Sequence, residues 1–399
     1  MLKRTLGVPL FQEQLLRMAM TVANFTGAEA EELRRAVGMR RSWERMKNLE
    51  GKLRAGMAAN GLDAATQETI VQNISSFALY GFPESHAASF ALIAYASAYL
   101  KVKYLAAFTC AILNNQPMGF YSPAVLVKDA QRHGLRVKPI DVQVSEWACT
   151  MGQEADASLS LRLGLGYVKG LRRQSAEAIA GDRESCGPFR SAEDLVARVP
   201  LLNRKELTLL ARVGALNNLD GVAHRRDALW QVERAGKLEG PLLREKAEAL
   251  REQRGSLPLL QMSTQERLIA DYAGTGLTIG KHPMAYRREQ LRRRQILSAA
   301  ELRTCRDGKF VRTAGCVIAR QRPGTAMGFV FLSMEDETGI ANVIVTPDLY
   351  ERERLVVTRS KFILAEGPLQ NQDGVIHVKA TRLQSLADQT LAIHSHDFH

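Results

Sequence analysis

Five cysteines occur in the 399 residues (Cys110, Cys149, Cys186, Cys305 and Cys316), and none stands in a CxxC or CxxxC pair. That spacing offers no zinc cluster and no disulfide framework, so ordinary buried, reduced thiols are expected, as in a cytoplasmic protein. Long apolar runs are missing as well. The longest, 87–100, is too short to span a bilayer and carries Ser89, Tyr95, Ser97 and Tyr99. It reads as a buried core helix, and no membrane partner is expected. Nor does a secretory leader open the sequence, because Met1-Leu-Lys-Arg4 runs into Gly7, Val8 and Pro9 and then charged residues.

What is present in excess is positive charge. Lys and Arg number 54 against 42 Asp and Glu, a formal charge of +12. Such an excess gains from counterion release when it meets a polyanion, and nucleic acid leads that class. The length exceeds what one hydrophobic core usually organises, so two to four domains are expected.

The first 155 residues pattern as helices. Apolar positions Leu15, Leu16, Met18, Ala19 and Val22 form one stripe, and Thr26 is placed to cap a second helix. Further helices are predicted over 46–60 and 64–77, and Gly81-Phe-Pro-Glu-Ser-His86 turns into the helix over 87–100. From 156 to 236 short helices alternate with glycine turns, at Leu165-Gly-Tyr-Val-Lys-Gly170 and at Val213-Gly-Ala-Leu216. Residues 237–305 read as a charged helical connector. From Gly308 the period becomes two, with strands predicted over 309–320, 327–334, 340–345, 361–366 and 375–381. A helix over 348–355 separates the third and fourth, the layout of an OB-fold barrel over 306–386, and 387–399 form a tail. The fold class expected is therefore multidomain and mostly α, with a C-terminal all-β OB-fold barrel.

Two clusters attract a chemical reading. Arg34, Arg35, Arg40 and Arg41 gather guanidinium forks around Gly38, a composition suited to bidentate phosphate contacts and equally to a solvated helix face. Ser85 and His86 stand at the start of a helix, where amides and the positive dipole end favour an anion. They also suit a cap and a packed ring.

The runs Gly7-Val-Pro-Leu-Phe-Gln-Glu-Gln14, Glu32-Leu-Arg-Arg-Ala-Val-Gly38, Phe77-Ala-Leu-Tyr-Gly-Phe-Pro-Glu-Ser-His-Ala87 and Ala94-Tyr-Ala-Ser-Ala-Tyr-Leu-Lys101 resemble, in order and spacing, the fingers of bacterial C-family DNA polymerases. Asn114-Asn-Gln-Pro-Met-Gly-Phe-Tyr-Ser-Pro123, the Gln321-Arg-Pro323 turn and Asp397-Phe-His399 resemble the error-prone, DnaE-type (ImuC-like) branch. The likeness runs along essentially the whole chain.

That resemblance implies fingers over 1–155, tandem helix-hairpin-helix elements over 156–236 and a single-strand binder in the barrel. Arg34, Arg35, Ser85 and His86, with Arg40 and Arg41 as weaker candidates, would face an incoming deoxynucleoside triphosphate. Gly166, Lys169, Gly170, Arg172 and Gly214 would meet the backbone of primer-template DNA. Phe310, Arg312, Arg320, Arg322, Phe329, Phe331 and Lys379 would hold single-stranded DNA by stacking and charge, although some aromatics must fill the barrel. Leu257, Leu259 and Leu260 sit where the family carries a sliding-clamp peptide and equally suit a linker; other mutasome proteins are implied partners. The carboxylates that hold two Mg²⁺ ions belong to the family's palm, upstream of the Gly7 motif. No catalytic or metal-binding residue is expected in this chain, which alone is expected to be inactive.

Overall fold

The computed structural model describes residues 2–38, 43–77, 83–119, 121–235, 259–324, 326–386, 391, 393 and 395–398. It divides into two compact units, Met1–Lys103 and Tyr104–His399. The fingers boundary expected near 155 does not coincide with that division.

The first unit is helical: α1 (Gln12–Ala23), α2 (Gly27–Gly38), α3 (Trp43–Ala59), α4 (Ala64–Phe77) and α5 (Glu84–Lys103). The starts of α1, α2 and α4 are closed by side chains, as orphan amides require. Gln14 Oε1 accepts from the amides of Leu10 and Phe11 ahead of α1. Thr26 and Glu29 close α2 reciprocally, and Asp63 accepts from Thr66 N at 2.9 Å in α4. Leu15, Met18, Leu33, Leu53, Met57 and Ile74 meet in the core.

The expectation of a buried helix over 87–100 is wrong. No residue of α5 is buried, and Phe90 and Tyr95 are 56% and 75% exposed. The core of this unit closes among α1–α4 without it. An apolar run fixes a helix but names no partner for it.

The second unit starts with α6 (Leu105–Asn114) and α7 (Pro123–Arg132) and a three-stranded sheet of β1 (Arg136–Lys138), β2 (Thr150–Gln153) and β3 (Leu159–Arg162) in the order β1-β3-β2. This sheet was not foreseen, its strands being only three or four residues long. Next come α8 (Arg173–Cys186), α9 (Ala192–Arg198), α10 (Arg204–Val213) and α11 (Arg225–Ala235). One core runs from Ala106 of α6 through Leu161, Ile179 and Leu210 to Val232, so α6, α7 and the small sheet are the floor on which the later helices stand.

After α12 (Thr264–Thr275), α13 (Arg288–Arg293) and α14 (Ala299–Leu302) come β4 (Phe310–Gln321), β5 (Val330–Glu335), β6 (Ile340–Val345), α15 (Pro347–Arg352), α16 (Arg354–Arg359), β7 (Phe362–Gln372), β8 (Val375–Ala380), β9 (Arg382–Ser385) and β10 (His396–Phe398). The predicted strands and the interposed helical segment are present, the latter as two short helices, and β9 and β10 are additional. β4 pairs antiparallel with β5, β5 with β6, β6 runs parallel to β8, β8 pairs with β7, and β7 returns to β4. Five strands thus pair in a ring. The ring depends on Gly367, where a Cβ would lie 2.0 Å from Lys379 O, so only glycine lets β7 pass that close to β8.

Residues 259–305, expected to be a connector, are packed structure where described. Leu268 and Tyr272 of α12 and Leu291 of α13 share a core with Ala314, Cys316, Phe362 and Leu364 of β4 and β7. All five cysteines are free; Cys110, Cys149 and Cys316 are buried, whereas Cys186 is exposed, against expectation. No helix among the described residues is long and apolar enough to cross a membrane.

Candidate nucleic-acid interface

In the first hairpin the turn before α8 is closed by Leu171 N donating to Val168 O at 3.1 Å. Gly170 takes φ +88° there, a conformation that disfavours any Cβ. Gly166 and Gly170 face solvent, the former beside Trp147. Lys169, expected to reach toward DNA, instead turns onto the C-terminal end of α12. Its amide donates to Gly274 O at 2.8 Å and its Nζ to Tyr272 O at 3.3 Å. Helix C-terminal carbonyls lack intrahelical donors and favour a cation.

Arg172 is likewise engaged. Its Nε and Nη2 donate to Glu206, and Nη2 also to Leu201 O at 2.7 Å, leaving the guanidinium half-exposed. Glu206 is almost wholly buried and also accepts from the amides of Arg172 and Asn203 and from Ser175 Oγ. Burial alone would raise its carboxyl, but the Arg172 guanidinium and these amides hold it down at about 2. One carboxylate therefore joins the start of α8 to the start of α10.

In the second hairpin Gly214 ends α10 in the left-handed region, φ +85°. A Cβ there would meet Arg225 Nε at 2.7 Å, and Arg225 Nη1 pairs with Asp271 of α12 at 2.7 Å. Ala215 O accepts from Val142 N, and Asn218 Nδ2 donates to Asp141 at 2.7 Å. Both hairpins are thus bolted to α12, whose opposite side packs on β4 and β7.

On the sheet, Phe331, Ile344 and Lys379 are register partners on β5, β6 and β8, and Gln321 of β4 continues the row. Their neighbours Val330, Leu332, Val343, Val345, Val378 and Ala380 fill the interior, so alternation points this row outward. Phe331 is 37% exposed. A second row, Ser333, Asn342, His377 and Gln370, lies beside it, with His377 and Gln370 hydrogen-bonded at 2.8 Å.

The other sheet candidates are not brought to these rows. Phe310 is 61% exposed, but at the opposite end of β4 from Gln321. Arg312 is bound to Glu366 at 2.7 Å and to Arg294 O. Arg320 is buried and bonded to Val357 O, Ser360 O, Ser395 and Asp397, so it ties β10 to β4 instead of standing in solvent where the expected DNA contact needs it. Arg322 lies over the Tyr350 ring at 4.3 Å, and Phe329 is half-buried.

In the first unit Arg34 donates to Glu31 at 2.9 and 2.6 Å, and Arg35 to the same carboxylate at 3.2 Å. The bond from Arg34 chiefly holds Glu31 down to about 2. The anion between these guanidiniums is therefore internal. Ser85 and His86 are exposed in the first turn of α5, which begins at Glu84, so Ser85 is not its cap. Glu84 N donates to Glu13 at 2.9 Å, and the His86 ring meets Phe90 edge-on. Leu259 and Leu260 are exposed; Arg40, Arg41 and Leu257 lie outside the described residues. Among the described residues no three of His, Cys, Asp and Glu are grouped to hold a metal ion.

Family comparisons bear on these features. Residues 1–61 match the bacterial DNA polymerase III alpha subunit finger domain, and 134–228 match a helix-hairpin-helix motif. Over its full length the chain is 44% identical to an error-prone DNA polymerase of Alkalilimnicola ehrlichii and 45% to one of Azoarcus sp.. The chain belongs to the error-prone DNA polymerase family. It spans only 38% and 37% of the length of those two relatives. A solved asparaginyl-tRNA synthetase from Pyrococcus horikoshii is 25% identical over 23% of this chain and 22% of that chain, with a TM-score of 0.20.

For this family member sequence reasoning missed Glu206, Arg225 and the role of α12. A signal for Glu206 existed: Asn203 followed three residues later by Glu is a capping box. Nothing local marked Arg225, because its partner is Asp271.

Proposed function

We propose that this chain is the DNA-holding part of an error-prone DNA polymerase acting in translesion synthesis. The observation that carries the reading is α12, which joins both glycine hairpins to β4 and β7 of the sheet that bears the outward rows, in one unit. In this reading the ring β4-β5-β6-β8-β7 is an OB-type barrel; the strand order and the helices between β6 and β7 support it. A base stacks on Phe331, with Ile344 as an apolar neighbour in the same row, while Lys379 meets phosphate. Exposed turn backbone at Gly166 and Gly170 approaches the duplex backbone without reading sequence. The first unit serves as fingers, with Arg34, Arg35, Ser85 and His86 toward the incoming deoxynucleotide. Leu259 and Leu260 are the weaker candidates for a sliding-clamp contact, and the metal-binding carboxylates belong to the part of the relatives this chain does not cover.

A primer-extension assay tests this directly. With primed template, Mg²⁺ and all four deoxynucleotides the purified chain should bind DNA and extend nothing. Extension by the chain alone would overturn the division of labour. Tight binding without extension that no carboxylate-bearing partner converts into synthesis would favour the alternative, a non-enzymatic DNA-binding module.

A further inference from the structure

α10 and α12 touch where a side chain is missing. At Gly274 a Cβ would lie 2.4 Å from Val213 Cγ1, so the helices meet backbone to side chain. Beside that contact a cleft of about 400 Å³ opens between them. Leu209, Met262, Ile269, Ala270 and Ala273 line it, with Arg212 and Glu266 at its rim.

The lining is aliphatic, and bases stack on aromatic platforms, so the cleft is a poor seat for a nucleobase. The charge at its edge is one-sided. Lys205, Leu209 and Arg212 share one face of α10, being spaced four and then three residues apart. Neither Lys205 nor Arg212 has an ion-pair partner among the described residues, whereas Glu266 is taken by Arg226 at 2.6 Å and by Ser263 N. A groove between two helices with largely aliphatic walls, the cation of Arg212 in its lining and that of Lys205 further along the same face of α10, has the form that receives an amphipathic helix.

We propose that this cleft docks a partner protein through a short acidic helix, its apolar side chains seated on Leu209 and Ile269 and its carboxylates on Arg212 and Lys205. Complementary charge would steer the encounter and set the helix register. Leu209 Cδ1 also lies 3.2 Å from where a Cβ of Gly170 would stand, so the partner would sit beside the first hairpin.

The test is selection of random 16-residue peptides displayed on phage against the full chain. Ala273→Trp fills the cleft, and Arg212→Glu reverses its rim. Enriched peptides should carry Leu, Ile or Phe at helical spacing with flanking Asp or Glu, and should bind each variant at least tenfold more weakly. Ala273→Trp should leave the thermal midpoint unchanged and the affinity for a single-stranded oligonucleotide within about twofold of the parent. If Ala273→Trp unfolds the chain, Arg212→Glu alone decides. Enrichment of basic or featureless peptides, or of none sensitive to the variants, overturns the proposal. So does an oligonucleotide that protects the cleft and competes with the peptides there, which would assign it to DNA.

Discussion

Lys169, Arg172 and Arg225 stand around the hairpins, and Phe331, Ile344 and Lys379 stand on the sheet. The first three have their polar groups bonded to Tyr272 O, Glu206 and Asp271. The second three lie outside a paved interior, Phe331 and Lys379 exposed and Ile344 half-buried. The hairpins therefore offer backbone and use their cations to hold shape, whereas the sheet offers side chains and holds shape without them. Substitution should separate the two: hairpin changes act on stability first, and sheet changes act on binding first.

The largest effect is expected at Glu206. Glu206→Ala removes a buried carboxylate that five donors share, and breaking such a hub costs about 3 kcal/mol or more. Urea denaturation of the full chain should register it as a lower midpoint for the second unit. An unchanged midpoint would mean the hairpins do not rely on internal charge.

The same group gives a pH dependence of definite sign. Its folded pKa of about 2 lies below the unfolded value, so its contribution is full above about pH 5 and is lost as pH falls toward about 2. Glu206→Gln should flatten that acid limb in a pH series of melts. A limb of the same depth in the variant would remove Glu206 from the account.

Gly170→Ala should come next. Alanine at φ +88° is strained by about 1 kcal/mol, and duplex affinity should fall with the altered turn, measured by anisotropy. Phe331→Ala should do the reverse, weakening single-stranded DNA roughly tenfold, about 1–3 kcal/mol per lost stack, while the melt stays nearly constant. Lys379→Ala is the smallest change, lowering the salt slope of single-strand binding by about 0.7.

How much of this was legible follows from the range of each signal. The strands of the ring were, because alternation in Val343, Ile344 and Val345 or around Phe331 is a two-residue pattern. Gly170 and Gly214 were, because positive φ needs glycine locally. Arg320 was not, since what makes it structural is Asp397 and Ser395, brought back by β10. The bonds of Arg34 and Arg35 to Glu31 were legible too, because that carboxylate lies one helical turn away on the same face. For α5, hydropathy specified a helix but not whether anything covers it.

The most direct measurement is anisotropy of labelled single-stranded oligonucleotides of several sequences, titrated with the full chain across a salt series, for the parent and for Phe331→Ala. The account predicts a steep salt dependence, little variation among sequences, and roughly tenfold weaker binding by the variant at every salt concentration. Salt-insensitive or strongly sequence-selective binding, or a variant that binds as tightly as the parent, would contradict it.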